Sequence, residues 1–267
     1  EDDDDDGYEG ATVFDPTKGV HYDPIIVGDY SSLYPSSMIM KNLSHNSIVL
    51  DSKYDNLPGY KYHEQSYNKP DGTKATYRFA ERADGTKATI PRILQKLLSA
   101  RKKYNNLKGE EKDPFKKAVW DGLQLAYKVT ANSLYGQCGS SISPIAMKPI
   151  AACTTSVGRD MLELARDFVE NNLKTIVYLI KDATFTGDDT KYLAYMRDYY
   201  KNVPDKRVGA TEIVKNEKGE KIMENGKPLT RPLYTGKEEY YQWIKIKIHE
   251  LVGDYDICPE CIYGDTD

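Results

Sequence analysis

The chain has 267 residues, of which 39% are apolar, and this is enough for one large domain or two small ones with a packed core. No apolar run approaches the roughly 20 residues of a membrane-spanning helix, and no signal segment opens the sequence. We therefore expect no membrane partner and no secretion. Four cysteines are too few for a disulfide framework in a chain of this length, so a reducing, intracellular compartment is expected.

The formal net charge of −4 depends on the first six residues, Glu1 followed by five aspartates. Without them, 35 acidic and 37 basic residues leave a charge of +2. A block of like charges repels itself, so we predict that residues 1–10 form an acidic disordered tail and not a metal site. The overall charge neither supports nor excludes a nucleic-acid partner.

The first 90 residues read mainly as strands and turns. We predict a strand over 11–14, a second strand over 24–28 that is apolar enough to be buried on both faces, and a helix that ends near Lys41. Residues 46–90 are predicted to be β-rich. The hexamer Asp-Gly-Thr-Lys-Ala-Thr occurs there twice, at 71–76 and 84–89, and indicates two hairpin turns.

Helices dominate the next part of the chain. Apolar residues recur at helical spacing after Pro91, and Asp113-Pro114 is an N-cap followed by a proline that starts a second helix. The short connection predicts an antiparallel helical hairpin over 91–136. Further predictions are a helix over 157–172, polar turns at 216–219 and 225–226, a helix over 237–251 and a short strand at 262–263.

Three carboxylates are candidates for a metal site. Asp29 follows the predicted buried strand, and Asp265 and Asp267 lie in the turn after the last one. Buried carboxylates are costly unless they are paired or bound to metal, and grouped carboxylates suit Mg²⁺. Taken singly, each residue has a simpler interpretation, which is an ordinary strand-end acid for Asp29 and a turn former for Asp265.

A second cluster suits phosphate binding. Lys128, Asn132 and Tyr135 have the spacing i, i+4 and i+7, so they line one stripe of a helix. Arg101 on the neighbouring predicted helix offers a bidentate grip on phosphate. For Lys128 alone, a solvated helix face is the simpler interpretation.

Taken together and in this order, the motifs resemble those of the family B (alpha-like) DNA polymerases. They are Asp29-Tyr-Ser-Ser-Leu-Tyr-Pro-Ser36, Lys128-Val-Thr-Ala-Asn-Ser-Leu-Tyr-Gly136 and Tyr263-Gly-Asp-Thr-Asp267. The stretch from Pro91 to Gly136 looks most like the delta-type branch and the polymerases of large eukaryotic DNA viruses.

The resemblance implies a role for each motif residue. Asp29 and Asp267 would bind two catalytic Mg²⁺ ions, with Asp265 a less essential neighbour. Arg101, Lys128 and Asn132 would hold the incoming dNTP triphosphate, assisted by the backbone of Ser32 and Leu33. Tyr34 would lie under the sugar and exclude a 2′-hydroxyl, and Tyr135 would flank the nascent base pair.

The resemblance also implies an α+β fold and a domain plan. Residues 11–90 would form the first part of a palm, a mostly antiparallel sheet backed by helices, with a β-rich segment leading to the fingers. Residues 91–136 would form the fingers, a two-helix antiparallel hairpin. Residues 137–267 would complete the palm, with an insertion at about 173–256 and a truncation at the third motif.

Several expectations and alternatives follow from this plan. The chain looks like the central piece of a longer DNA polymerase that acts on primer-template DNA in the nucleus or at a viral replication site, with a sliding clamp or processivity factor bound elsewhere. We expect the piece to be inactive alone. A catalytically dead DNA-binding or scaffold module and a protein-primed replicase are the alternatives. Cys258 and Cys261 are expected to be buried thiols, with zinc as the less favoured reading.

Overall fold

The computed structural model describes residues 7–22, 25, 27–201, 211–213, 223–224, 227–228, 230–232 and 237–252. These residues fall into two compact units, and Arg166 is the first residue of the second. Helices alternate with small antiparallel sheets, which is an α+β fold as predicted. Among the described residues, no helix is both long and apolar enough to cross a bilayer.

The first unit contains helix α1 (Leu33–Met40), strands β1 (Ile48–Val49), β2 (Tyr60–Asn68) and β3 (Lys74–Arg82), and helices α2 (Thr89–Glu110), α3 (Pro114–Gly139) and α4 (Lys148–Asp167). The three strands form an antiparallel sheet in the order β1-β3-β2. Met38 of α1, Phe79 of β3, Leu94 of α2 and Ile150 of α4 are fully buried in one core. The sheet and the helices therefore share a single apolar interior.

The two copies of the repeated hexamer adopt the same local turn. The carboxylates of Asp71 and Asp84 accept hydrogen bonds from the backbone N–H of Thr73 and Thr86, each at 2.8 Å. The glycine after each aspartate has a positive φ, which favours glycine. Only the first copy closes a hairpin, between β2 and β3; the second leads from β3 into α2, so the prediction of two hairpin turns is half right.

Helix α2 begins where side chains from an earlier loop bind its first N–H groups. Ala88 at the N-cap offers no side-chain oxygen, but Asn42 accepts from the Ala88 N–H at 2.9 Å. Asn46 and Ser44 accept from the next two N–H groups at 3.1 and 3.2 Å. These bonds satisfy donors that the helix itself leaves unpaired, and they fix the start of α2 against the end of α1.

Helices α2 and α3 form the predicted antiparallel hairpin. Asp113 caps α3 by accepting from the backbone N–H of Phe115 at 2.8 Å, as its sequence position indicates. Tyr104 of α2 stacks against both Trp120 and Tyr127 of α3, with ring centroids 5.7 and 5.5 Å apart. The hairpin is longer than predicted at each end: α2 starts at Thr89 and α3 ends at Gly139.

A buried ion cluster lies in the sheet next to the start of α2. Glu81 of β3 is 2% exposed, and its carboxylate meets the side chains of Lys61, His63 and Lys87 at 2.8, 2.7 and 2.7 Å. Burial by itself raises the pKa of Glu81, but these three partners outweigh it and lower the pKa to about 2. The cluster thus connects β2 and β3 with Lys87, which lies in the segment leading into α2.

Two strand predictions near the start of the chain are wrong. Val13 makes an isolated bridge where a strand over 11–14 was predicted. Of the buried strand predicted over 24–28, residues 24 and 26 lie outside the described residues, whereas Ile25 and Val27 are 58% and 87% exposed and are not paired with a described strand. An apolar run is buried as a strand only where other segments supply neighbours on its edges and faces. The short strand predicted at 262–263 lies outside the described residues.

Helix α4 begins nine residues before the predicted helix over 157–172 and ends at Asp167. Residues 150–159 are all buried, and they include Thr154, Thr155, Ser156 and Arg159, polar residues that do not indicate a buried helix in a sequence. A π-helical segment, Phe168–Leu173, follows α4 directly.

The second unit, Arg166–Cys261, contains helices α5 (Lys174–Thr186), α6 (Thr190–Tyr199) and α7 (Lys237–Val252). Ile180 of α5 and Met196 of α6 are buried with Tyr241 of α7, and Tyr192 donates a hydrogen bond to the Tyr241 carbonyl at 2.6 Å. The helix predicted over 237–251 is confirmed.

Short strands complete the description of the second unit. Strand β4 (Thr211–Ile213) pairs with β7 (Thr230–Pro232), and β5 (Met223–Glu224) pairs with β6 (Lys227–Pro228). The turn predicted at 225–226, between β5 and β6, lies outside the described residues. The turn predicted at 216–219 lies outside the described residues.

Candidate functional site

The segment that carries Asp29 turns sharply into α1 at Ser32. Ser32 has φ 53° and ψ 59°, a left-handed conformation that is uncommon for a residue other than glycine and often marks functional sites. Its carbonyl accepts from the Ser36 N–H at 2.9 Å, but its hydroxyl does not cap the helix. The start of α1 therefore has no side-chain cap, which leaves a helix end that favours anions.

Arg101 of α2 reaches the same point. Its Nη1 donates to the Ser32 hydroxyl at 2.9 Å, so the hydroxyl that could have capped α1 is oriented by an arginine from a distant part of the chain. The Nε of Arg101 is buried and has no hydrogen-bond partner among the described residues. A buried donor without a partner is costly, and it marks a place where an added acceptor would be stabilising.

Tyr34 and Tyr135 pack against each other where α1 meets α3. Their ring centroids are 4.6 Å apart with the planes inclined at 42°. Burial raises the pKa of the Tyr135 hydroxyl, and a hydrogen bond with Tyr8 and the nearby Tyr8 and Tyr34 side chains raise it further. Tyr135 is therefore a neutral, anchored ring, and Tyr34 is held against it.

Lys128 and Asn132 lie on exposed positions of α3, two and one helical turns before Tyr135. Neither side chain has a hydrogen bond or ion pair among the described residues, so both are available to a ligand. The predicted stripe is thus exposed at one end and anchored by Tyr135 at the other.

Asp29 is exposed, and its carboxylate is likewise unengaged within the described part of the chain. The next residue is fixed, because the Tyr30 hydroxyl donates to the Met161 carbonyl of α4 at 3.0 Å. Asp265 and Asp267 lie outside the described residues, as do Cys258 and Cys261. Within the described ranges, no three His, Cys, Asp or Glu side chains come together in a way that could hold a metal ion.

The structure adds residues that the motifs did not indicate. Arg159 of α4 is 8% exposed, and its Nη1 donates to the carbonyls of Glu9 and Gly10, each at 2.7 Å. These two residues lie at the end of the predicted acidic tail, and here they are bound to α4 next to Tyr8. No sequence signal identifies these contacts, because the burial that makes the charge of Arg159 require partners is seen only in the structure.

The structure therefore joins the first motif to α2 through Ser32 and Arg101, and to the second motif through Tyr34 and Tyr135. The sequence model of one family, described as DNA polymerase family B, matches residues 1–267. The chain belongs to DNA polymerase family B.

The chain is also similar in sequence to proteins that are named as DNA polymerases. A DNA polymerase of Pyramimonas orientalis virus is 39% identical over an alignment that covers 79% of this chain and 22% of the relative. A DNA polymerase of Phaeocystis pouchetii virus is 40% identical over 67% of this chain and 20% of its own length. The DNA polymerase delta catalytic subunit of Dictyostelium discoideum is 37% identical over 68% of this chain and 16% of its own. The chain thus spans about a fifth of the length of these relatives.

Proposed function

We propose that this chain is the nucleotide-binding and catalytic segment of a DNA-directed DNA polymerase, which transfers deoxynucleotides from dNTPs to a primer 3′-hydroxyl. The observation that carries the proposal is the hydrogen bond between Arg101 and Ser32 at the uncapped start of α1. It brings an arginine and a helix N-terminus together across 69 residues of sequence. Family membership supports the same conclusion.

In this proposal, the triphosphate binds between α1, α2 and α3. Arg101 supplies a planar, permanently charged group whose buried Nε has no acceptor among the described residues. The start of α1 supplies backbone N–H groups of Ser32 and Leu33, and an uncapped helix end favours a phosphate. Lys128 and Asn132 add a cation and an amide from the exposed face of α3.

Tyr34 and Tyr135 shape the sugar and base part of the site. Packing against Tyr135 fixes the position of the Tyr34 ring. A ring in a fixed position can exclude a substrate that carries one additional hydroxyl group. Tyr34 would lie under the sugar and exclude ribonucleotides, and Tyr135 would flank the nascent base pair.

Asp29 is proposed as a ligand of two Mg²⁺ ions together with Asp267 and, less essentially, Asp265. The exposed, unengaged carboxylate of Asp29 fits this role, because Mg²⁺ prefers carboxylate oxygens and retains waters and phosphate oxygens. When bound, such a pair of ions activates an attacking hydroxyl and stabilises a leaving pyrophosphate.

The contribution of this chain is mainly positioning. The primer 3′-hydroxyl attacks the α-phosphorus and pyrophosphate leaves, while Arg101, Lys128 and Asn132 hold the triphosphate in line and balance its charge. The hairpin α2–α3 is proposed as the fingers that close over the nucleotide, and the elements around it as the palm. Primer-template DNA, dNTPs and a processivity factor bound elsewhere are the proposed partners, in a nucleus or a viral replication site.

The proposed setting is a longer protein, called here the complete polymerase, of which residues 1–267 are the central segment. Residues 1–267 alone are proposed to be inactive, because they correspond to only about a fifth of the length of the polymerase relatives. Primer extension by the purified segment at a rate near that of the complete polymerase would contradict this.

Tyr34→Ala in the complete polymerase is expected to raise ribonucleotide insertion relative to deoxynucleotide insertion by about a hundredfold, because the ring that excludes the 2′-hydroxyl is removed. Single-nucleotide insertion kinetics with matched dNTP and rNTP measure the ratio. Tyr22→Ala, at a tyrosine that is 92% exposed, is the matched control and should leave the ratio unchanged. An unchanged ratio of ribonucleotide to deoxynucleotide insertion in Tyr34→Ala would contradict the proposed role of Tyr34 in excluding ribonucleotides. If the wild-type polymerase does not extend a primer at all, a catalytically dead scaffold module is favoured.

A further inference from the structure

Gly158 lies inside helix α4, where glycine is unfavourable because it lowers helix stability relative to alanine. Its backbone is buried directly against Tyr34. A Cβ atom at this position would lie 2.8 Å from Cε1 and 3.5 Å from Cδ1 of the Tyr34 ring, and 3.8 Å from Cδ2 of Leu33. Carbon atoms in contact prefer about 3.5–4.0 Å, so only glycine permits the ring to lie this deep against α4.

The backbone of α4 is held in place around Gly158. Arg159 binds two carbonyls of the segment 9–10, and Ser156 donates to the Ser66 carbonyl of β2 at 2.6 Å. Gln65 of β2 donates to the carboxylate of Asp160 at 3.0 Å. Since α4 is bound to neighbours on both sides of Gly158, a methyl group added there would displace the Tyr34 ring and not the helix.

We propose that Gly158 is a positioning residue that sets the depth of the Tyr34 ring in the nucleotide pocket, and thereby the space left for the sugar of the incoming nucleotide. This inference rests on the proposed role of Tyr34 as the group beneath that sugar. Gly158 itself does not contact the substrate; it acts only by allowing the Tyr34 ring to lie close to α4.

Gly158→Ala in the complete polymerase tests this inference. The ring must move away from α4 by up to about 1 Å to restore ordinary contact distances, which brings it closer to the deoxyribose. We expect the KM for dNTPs to rise about tenfold with kcat changed less than about twofold, and the discrimination against rNTPs to rise, because a sugar with a 2′-hydroxyl needs still more of the reduced space. Single-nucleotide insertion kinetics measure these constants.

Gly122→Ala is the matched control, because Gly122 also lies within a helix and a Cβ there would meet nothing within 4 Å. It should leave the KM for dNTPs unchanged. A double-mutant cycle supplies the specific readout: in the Tyr34→Ala background there is no ring to displace, so adding Gly158→Ala should change the KM no further.

The outcomes separate the two proposals. An unchanged sugar discrimination in Tyr34→Ala overturns the gate role itself. If Tyr34→Ala loses sugar discrimination as expected, two results overturn the inference about Gly158 alone. One is wild-type kinetics in Gly158→Ala, and the other is a rise in KM on adding Gly158→Ala that is as large in the Tyr34→Ala background as in the wild type. Where Gly158→Ala lowers the melting temperature too far for kinetics, Tyr34→Ala should restore folding by removing the clash, and failure to do so also overturns it.

Discussion

Replacing Asp29 by alanine in the complete polymerase is expected to lower primer extension by about a thousandfold or more while leaving primer-template affinity within about threefold. The proposed reaction needs a carboxylate at this position to hold divalent ions, whereas DNA binding depends mainly on cationic contacts with phosphates. The exposed carboxylate of Asp29 makes no structural contact with the described residues, so its loss should not disturb folding. Steady-state extension and fluorescence anisotropy with labelled primer-template measure the two quantities.

Asp15→Ala is the matched control for Asp29→Ala, since Asp15 is an exposed aspartate in the same N-terminal part of the chain. It should leave both extension and DNA affinity unchanged. A parallel loss of extension and DNA affinity in Asp29→Ala, accompanied by a lower melting temperature, would mean that Asp29 has a structural role and no catalytic one.

The second large effect concerns stability. Glu81→Gln should lower the free energy of unfolding near pH 7 by about 2–3 kcal/mol, because it removes the charge that compensates Lys61 and Lys87 at a site that is 2% exposed. Part of the full ion-pair energy is screened, since the Lys61 side chain is 55% exposed. Urea unfolding of the chain measures the difference. Glu64→Gln, at an exposed glutamate of β2, should change the free energy by less than about 0.5 kcal/mol.

The Glu81 cluster also predicts a pH dependence. The folded chain lowers the pKa of Glu81 from its usual 4.5 to about 2, so its stabilising contribution is complete above pH 4.5 and is lost as the pH falls from there towards 2. The wild-type chain should therefore lose its stability advantage over Glu81→Gln across this interval. If the difference in free energy of unfolding between the wild-type chain and Glu81→Gln stays constant from pH 6 to pH 3, the ion pairs of Glu81 do not stabilise the fold as expected.

The helical hairpin could be predicted from sequence because its signals are local. Asp113-Pro114 begins α3 as expected, since the cap and the N–H groups that it binds lie within three residues. The start of α2 could not be placed in this way. Its first N–H groups are bound by Asn42, Ser44 and Asn46, more than forty residues earlier, and no local pattern reports such capping.

The errors in the prediction share one cause, which is that burial depends on partners from elsewhere in the chain. The run over 24–28 is apolar, yet Val27 is exposed because no described strand lies beside it. The first half of α4 is buried although it contains Thr154, Thr155, Ser156 and Arg159, and the burial of such polar residues depends on partners such as the Glu9 and Gly10 carbonyls.

The candidate site likewise contains residues that could be predicted from the sequence and residues that could not. Helical spacing correctly placed Lys128, Asn132 and Tyr135 on one helix, and the resemblance selected Arg101 and Ser32 before any contact between them was known. Gly158 and Arg159 were not singled out as site residues, because neither carries a reactive group at a recognisable spacing. Their importance lies in a close approach to Tyr34 and in two backbone carbonyls, which only the fold reveals.

The central claim is that the start of α1, Arg101 of α2 and the exposed stripe of α3 form one triphosphate site. A crystal structure of the complete polymerase with primer-template, an incoming dNTP and a non-reactive divalent ion tests it directly. We expect the triphosphate to contact Arg101, Lys128 and Asn132, with an ion bound by Asp29 and Asp267. A triphosphate bound away from α1 and α2, or carboxylates of Asp29 and Asp267 too far apart to share an ion, would contradict the claim.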